Sequence, residues 1–97
     1  MDSKIINFIK KYNISDSEIN SMSTFAPMLE VTTYNEFVYN CKLLIEYGYP
    51  KYDLDILMLA NPNIFVMSHS ELKQDLLKLK REYGDIEQIL KQDPTII

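Results

Sequence analysis

The chain has 97 residues, 46% of them hydrophobic, and its ten basic and fourteen acidic side chains give a net charge of −4. This length supports one domain, residues 1–97, with a modest core. The longest apolar run, Ile56 to Ala60, is far short of the roughly 20 residues that a membrane helix needs. No secretory or organelle leader is recognisable, so we expect a cytoplasmic protein without membrane contact. The acidic balance argues against strong non-specific nucleic-acid binding but leaves room for a local basic face.

Helical periodicity predicts an all-α chain, since period-2 alternation is absent outside short stretches. The expected helices are residues 3–11, 16–24, 34–47, 52–60, 69–83 and 85–92, with a tight turn after each of Pro27 and Pro62. A hydroxyl residue followed three positions later by glutamate predicts a capping box at three of the starts: Ser15 with Glu18, Thr33 with Glu36, and Ser68 with Glu71. Asn13, Gly48 and Gly84 suit the left-handed conformation that ends a helix.

A repeat of about 35 residues organises the chain. Residues 11–29 align with residues 46–64 without a gap, and a third, shorter copy runs from Glu82 to Ile97. The three copies share a helix-ending tyrosine, spaced aliphatics and a proline followed by aliphatics. Such periodicity is typical of stacked supersecondary units, so we predict about two and a half helix-turn-helix repeats, with the handedness of the stack left open.

Each copy contains one short helix, and the three short helices differ from one another in amphipathicity. In the middle copy, "LDILMLA" (residues 54–60), almost every position after Asp55 is apolar, whereas the outer copies, "INSMSTF" and "IEQILKQ", are amphipathic. Since an inner unit of a stack has a neighbour on both sides, we expect residues 54–60 to be buried on every side. The predicted core consists of Leu44, Leu57, Ile64, Leu76 and Ile89.

The pattern resembles the helical repeat of the mitochondrial transcription termination factor family. The segments that carry the resemblance are "APML", "TTYNEF…LLIEYG", "LDILMLANPNIF", "SHSELKQDLLKLKREYG" and "DIEQILKQDPTII", which cover most of residues 11–97. The resemblance implies a superhelix of triangular units, each with two longer helices and a short 3₁₀ turn at the proline. In members of that family a basic concave surface binds nucleic acid.

Two places are candidate partner-binding sites. On the helix 69–83, three basic side chains flank a leucine, and this group is a candidate contact for phosphate or an acidic partner: Lys73, Leu77, Lys80 and Arg81. The alternative is an ordinary solvated helix face, with Leu77 covered by a neighbouring unit. In the linker "YGYPKYD", Tyr49 and Tyr52 have no place in the repeat pattern. They are therefore candidates for a protein-contact patch.

No reaction type is indicated by the sequence. His69 lies between two serines, but the capping pattern already explains Ser68, and no nucleophile motif accompanies the imidazole. Cys41 falls in an apolar helical pattern that predicts a buried structural thiol. Phosphate-binding glycine loops, paired cysteines and metal-ligand spacings are missing, so we expect no enzyme, cofactor or metal.

The leading hypothesis is a non-enzymatic module that binds another protein. The first alternative is nucleic-acid binding through Lys73, Lys80 and Arg81. The second is a structural or oligomer-forming unit, suggested by the apolar tail Ile96-Ile97.

Overall fold

A computed structural model describes all 97 residues and contains only helices. The α-helices are α1 (Ser3–Lys10), α2 (Asp16–Phe25), α3 (Tyr34–Glu46), α4 (Leu54–Ala60), α5 (His69–Tyr83) and α6 (Ile86–Gln92). Three 3₁₀ helices, Pro27–Glu30, Lys51–Asp53 and Pro62–Val66, lie between them. The all-α prediction is therefore confirmed. No helix is both long enough and apolar enough to cross a membrane.

Side-chain caps start the helices at the predicted residues. Ser15 and Glu18 form a complete capping box, in which the Ser15 hydroxyl accepts from the Glu18 N–H and the Glu18 carboxylate accepts from the Ser15 N–H. At α3 and α5 only the first of these bonds is present, from the N–H groups of Glu36 and Glu71 to the hydroxyls of Thr33 and Ser68. Each bond satisfies a helix N–H that would otherwise have no partner.

Residues with positive φ follow α1, α3 and α5, as predicted. Asn13, Gly48 and Gly84 have φ angles of 61°, 109° and 80°, and they are the only residues of the chain with positive φ. Glycine has no Cβ to clash in this conformation, and the short polar side chain of asparagine tolerates it better than larger side chains do.

The three proline turns share one backbone geometry. The residue before each proline, Ala26, Asn61 or Asp93, has φ between −127° and −152° and ψ between 75° and 83°. Its N–H donates to the carbonyl four residues earlier at 2.8 Å in every case. Its carbonyl accepts from the N–H three residues later. The helical conformation is disfavoured for a residue before proline, so the helix ends at this position and the turn begins there.

The helices form two rows. In one row α1 contacts α3 and α3 contacts α5, and in the other α2 contacts α4 and α4 contacts α6. The second proline turn packs against α2, α3 and α4, between the rows. Asparagine side chains link the second proline turn to the other two. The Asn63 amide donates to the Phe25 carbonyl at 3.4 Å, and the Asn61 amide donates to the Pro94 carbonyl at 2.9 Å. The molecule measures 36 × 23 × 20 Å along its principal axes.

A single apolar core runs along the molecule between the rows. Four of the five predicted core residues, Leu44, Leu57, Ile64 and Leu76, are fully buried. The prediction for Ile89 is only partly right, since this side chain is half-buried and packs at the edge of the core. In the seven-residue helix α6 the buried positions are Ile86 and Leu90, four residues apart.

Candidate interaction surface

An apolar stripe lies on the solvent side of α4. Tyr52, Ile56 and Leu59 are 79%, 43% and 45% exposed, and their spacing of four and three residues places them on one side of the helical segment 51–60. We call these three residues the apolar stripe. The prediction that residues 54–60 are buried on every side is therefore wrong. A middle helix in a row is covered by the core and by two neighbours, but its outer side still faces water.

The corresponding positions of the neighbouring helices are polar. The 35-residue offset matches Tyr52, Ile56 and Leu59 with Ser17, Ser21 and Thr24 of α2, which are all exposed. In α6, the 32-residue offset of the shortened copy matches Ile56 and Leu59 with Gln88 and Lys91, which are exposed as well. The fold therefore accepts polar residues at this position in two helices out of three, and the apolar stripe does not follow from packing.

Tyr49 does not belong to the surface, contrary to prediction. Its side chain is 1% exposed, and its hydroxyl donates to the Asp53 carbonyl at 3.0 Å. Burial raises the pKa of Tyr49 to about 12. Pro50 and the following 3₁₀ turn fold the linker back, so the ring closes the core while Tyr52, three residues later, points outward. Tyr49 is therefore a structural residue, and only Tyr52 remains a contact candidate.

A lysine joins α6 to the start of α4 beside the buried Tyr49. The Lys91 ammonium lies 2.6 Å from Asp53, 2.8 Å from Glu87 and 6.0 Å from the centroid of the Tyr49 ring. Hydrogen bonds to Asp53 and Glu87 raise the pKa of Lys91 above its ordinary value. The two ion pairs of Lys91 form a polar border between the outer sides of α4 and α6.

The predicted basic group is exposed on α5. Lys73, Leu77, Lys80 and Arg81 all face solvent, with Leu77 40% exposed, whereas Leu72, Leu76 and Leu79 turn into the core. None of the three cations in the group forms an ion pair, since the four salt bridges of the molecule use the N-terminus, Lys10 and Lys91. We call Lys73, Leu77, Lys80 and Arg81 the basic strip. Its charges are available to a partner.

A polar link that sequence reasoning missed holds α5 against α3. Asn40, only 1% exposed, donates from its amide to the carbonyls of Ile64 and Met67 at 3.1 and 2.9 Å. Its amide oxygen lies 2.7 Å from His69 Nδ1. Because both amide hydrogens are used, the oxygen must accept, which places the proton on Nδ1 of the imidazole. The sequence does contain a signal for this link, which is an asparagine at an inward-facing position of the otherwise apolar side of α3.

His69 therefore has a structural role at the start of α5. Its ring also packs against Tyr39 in a tilted arrangement, with 4.0 Å between centroids. These rings line a shallow groove of about 370 Å³ between α3 and α5, together with Leu43, Glu46, Ser70 and Lys73. The groove is continuous with the basic strip through Lys73.

Charge is divided between the two rows of helices. Residues 3–11, 34–46 and 69–83, in the row of α1, α3 and α5, carry eight basic and five acidic side chains. Residues 16–25, 51–60 and 85–93, in the row of α2, α4 and α6, carry two basic and seven acidic side chains. The apolar stripe thus lies in the negative row and the basic strip in the positive row.

Comparison of the chain with known protein families, with curated proteins and with solved structures finds no match.

Proposed function

We propose that this chain is a non-enzymatic helical-repeat module that binds another protein through the apolar stripe. The observation that carries the proposal is the exposure of Tyr52, Ile56 and Leu59 at positions where the neighbouring helices have polar residues. Clustered apolar side chains rimmed by polar ones are typical of protein contact sites, and a tyrosine is among the residues that contribute most to such contacts.

The repeat architecture is the second part of the proposal. Three proline turns of common geometry and two rows of successive helices support a stack of similar units, in which each unit adds one helix to each row. The 3₁₀ helices at Pro27 and Pro62 are also what the resemblance to the mitochondrial transcription termination factor family implies. We propose a likeness of fold to that family, which does not carry an activity with it.

The chemistry of the two most reactive side-chain types supports a non-enzymatic role. Cys41 is 2% exposed, and burial raises the pKa of its thiol to about 12, so it stays protonated and inaccessible at neutral pH. The only histidine is committed through Nδ1 to Asn40. A lone, buried, reduced cysteine also agrees with the cytoplasmic location that we propose.

A capture experiment with matched variants tests the proposal. We expect Ile56→Ser combined with Leu59→Thr, which installs the residues found at the equivalent positions of α2, to remove the protein partners that the wild-type chain retains. Phe25→Ser is the control, because Phe25 is 76% exposed and apolar but lies outside the stripe. Partners that survive in the stripe variant, or that are lost equally in the control, would show that the stripe is not the binding site.

Nucleic-acid binding is the second candidate, and it is favoured by the basic strip with its unpaired cations. It predicts an affinity for single-stranded or duplex nucleic acid that falls steeply with salt and weakens on Lys80→Glu. The control is Lys51→Glu, because Lys51 is exposed and forms no ion pair but lies outside the basic strip. Absence of binding at about 50 mM salt, where phosphate contacts are strongest, would exclude this function.

A further inference from the structure

We propose that the partner that occupies the apolar stripe is a second copy of this chain, which docks with the basic strip of its α5. This inference rests on the proposed function and names its partner. Successive copies would associate head to tail, with α5 of one molecule lying across α4 of the next.

The two surfaces are complementary in chemistry. The stripe offers an aromatic ring and two aliphatic side chains, with Asp55 beside them in α4 and further carboxylates in the same row. The strip offers one exposed leucine between three cations. Leu77 would bury its apolar surface against Ile56 and Leu59, while the cations approach Asp55 and the other carboxylates of the negative row. Opposite charges around an apolar centre favour correct docking and suppress wrong partners.

The unpaired state of the cations matters for the energy of this contact. Lys91 already shares its ammonium between Asp53 and Glu87, so it has less to gain from a further carboxylate. Lys73, Lys80 and Arg81 hold none, so docking breaks no ion pair on the side of the basic strip. Their contribution depends on ionic strength, because exposed pairs are screened by salt.

Charge division between the rows decides the symmetry of the contact. A symmetric dimer through the apolar stripe would bring two acidic rows together, and seven carboxylates with two lysines would face the same set. A symmetric dimer through the basic strip would bring unpaired cations together. Contact between the negative row of one copy and the positive row of another avoids both costs, so the geometry favours a head-to-tail interface.

Head-to-tail contacts leave both surfaces usable on every molecule. The stripe belongs to α4 and the strip to α5, in different rows, so one copy can dock with a neighbour on each side. Interfaces of this kind extend into rings or open chains rather than closing as dimers. The apparent mass should therefore rise past that of a dimer as the protein concentration increases.

Complementation between two variants tests the interface. The stripe variant carries Ile56→Ser and Leu59→Thr, and the strip variant carries Leu77→Gln and Lys80→Glu. Sedimentation velocity of the full chain at about 50 mM salt should show association of the wild type, weakened at about 500 mM salt where the Debye length is short. Each variant alone should be monomeric. An equimolar mixture should form a one-to-one complex that does not extend, because only one intact stripe and one intact strip remain.

Three results would overturn the inference. A wild-type chain that stays monomeric up to about millimolar concentration, where even an affinity worth about 4 kcal/mol would show, excludes self-association. A mixture of the two variants that stays monomeric while the wild type associates excludes pairing of one intact stripe with one intact strip. Association that persists in the strip variant alone excludes α5. If a monomeric wild type still captures another protein in a stripe-dependent manner, the proposed function stands and only its partner is different.

Discussion

Replacement of Asn40 should cost more stability than any other substitution of a polar side chain in this protein. Asn40→Ala removes three hydrogen bonds at once: two donated to the carbonyls of Ile64 and Met67, and one accepted from His69. At a net value of about 1 kcal/mol for each bond, the loss is about 3 kcal/mol, and the Ile64 carbonyl is left buried without this partner. For a domain of this size, such a loss lowers the melting temperature by about 12–24 °C.

The assay is urea denaturation followed by far-UV circular dichroism, which reports the helices that make up the whole fold. Asn35→Ala is the matched control, because Asn35 lies on the same helix with an exposed side chain. Asn40→Asp, of nearly the same shape, should destabilise the fold at least as much at neutral pH, since it turns an acceptor toward two carbonyls. A loss below about 1 kcal/mol for Asn40→Ala would refute the role of this residue as the link between α3, the second proline turn and α5.

Three further predictions concern other elements. Cys41 should resist thiol reagents in the folded protein and react at once in urea, because its thiol is buried with a pKa of about 12; rapid labelling of the native chain would contradict its position. Gly84→Ala should cost about 1 kcal/mol in denaturant titration from backbone strain alone, since φ is +80° and a new Cβ would meet no atom within 4 Å. The Ser15 N–H lowers the pKa of Glu18 below its ordinary value of 4.5, so the stability this bond provides is present above that value and is lost as the pH falls through the lowered folded pKa. Glu18→Gln should make the acid branch of the stability curve less steep, and an unchanged acid branch would argue against the bond; Glu46→Gln is the exposed control.

Local rules were sufficient to predict the helices. Caps and left-handed stops depend on one to four neighbouring residues, and for that reason Ser15, Thr33 and Ser68 start helices, and Gly48 and Gly84 end them, where the sequence placed them. Each signal is a hydrogen bond or a backbone preference within one helix end, so it can be read from the sequence without knowledge of the tertiary structure.

Exposure was harder to predict, because it depends on how many sides of an element have neighbours. The apolar composition of α4 indicated full burial, but three neighbours leave a fourth side open, and this side carries Ile56 and Leu59. Tyr49 shows the opposite error. It lies in a linker, where exposure is the usual expectation, but the chain folds back after Pro50 and places the ring in the core. Neither outcome is encoded in a short window of sequence.

The apolar stripe and the Asn40 link allow stability and binding to be separated. Ile56 and Leu59 each retain almost half of their exposure, and the serine and threonine that would replace them already occupy the equivalent helix α2. The free energy of unfolding of the stripe variant, measured from its urea midpoint, should therefore stay within about 1 kcal/mol of wild type. Asn40→Ala leaves every residue of the stripe unchanged and should lower the midpoint strongly. If binding is lost through unfolding, the loss should appear in Asn40→Ala and disappear at temperatures below the melting temperature of that variant. If binding is lost because the contact is missing, the loss should appear in the stripe variant at every temperature. If the stripe variant instead unfolds as readily as Asn40→Ala, Ile56 and Leu59 serve the core rather than a partner, and the interaction surface must lie elsewhere.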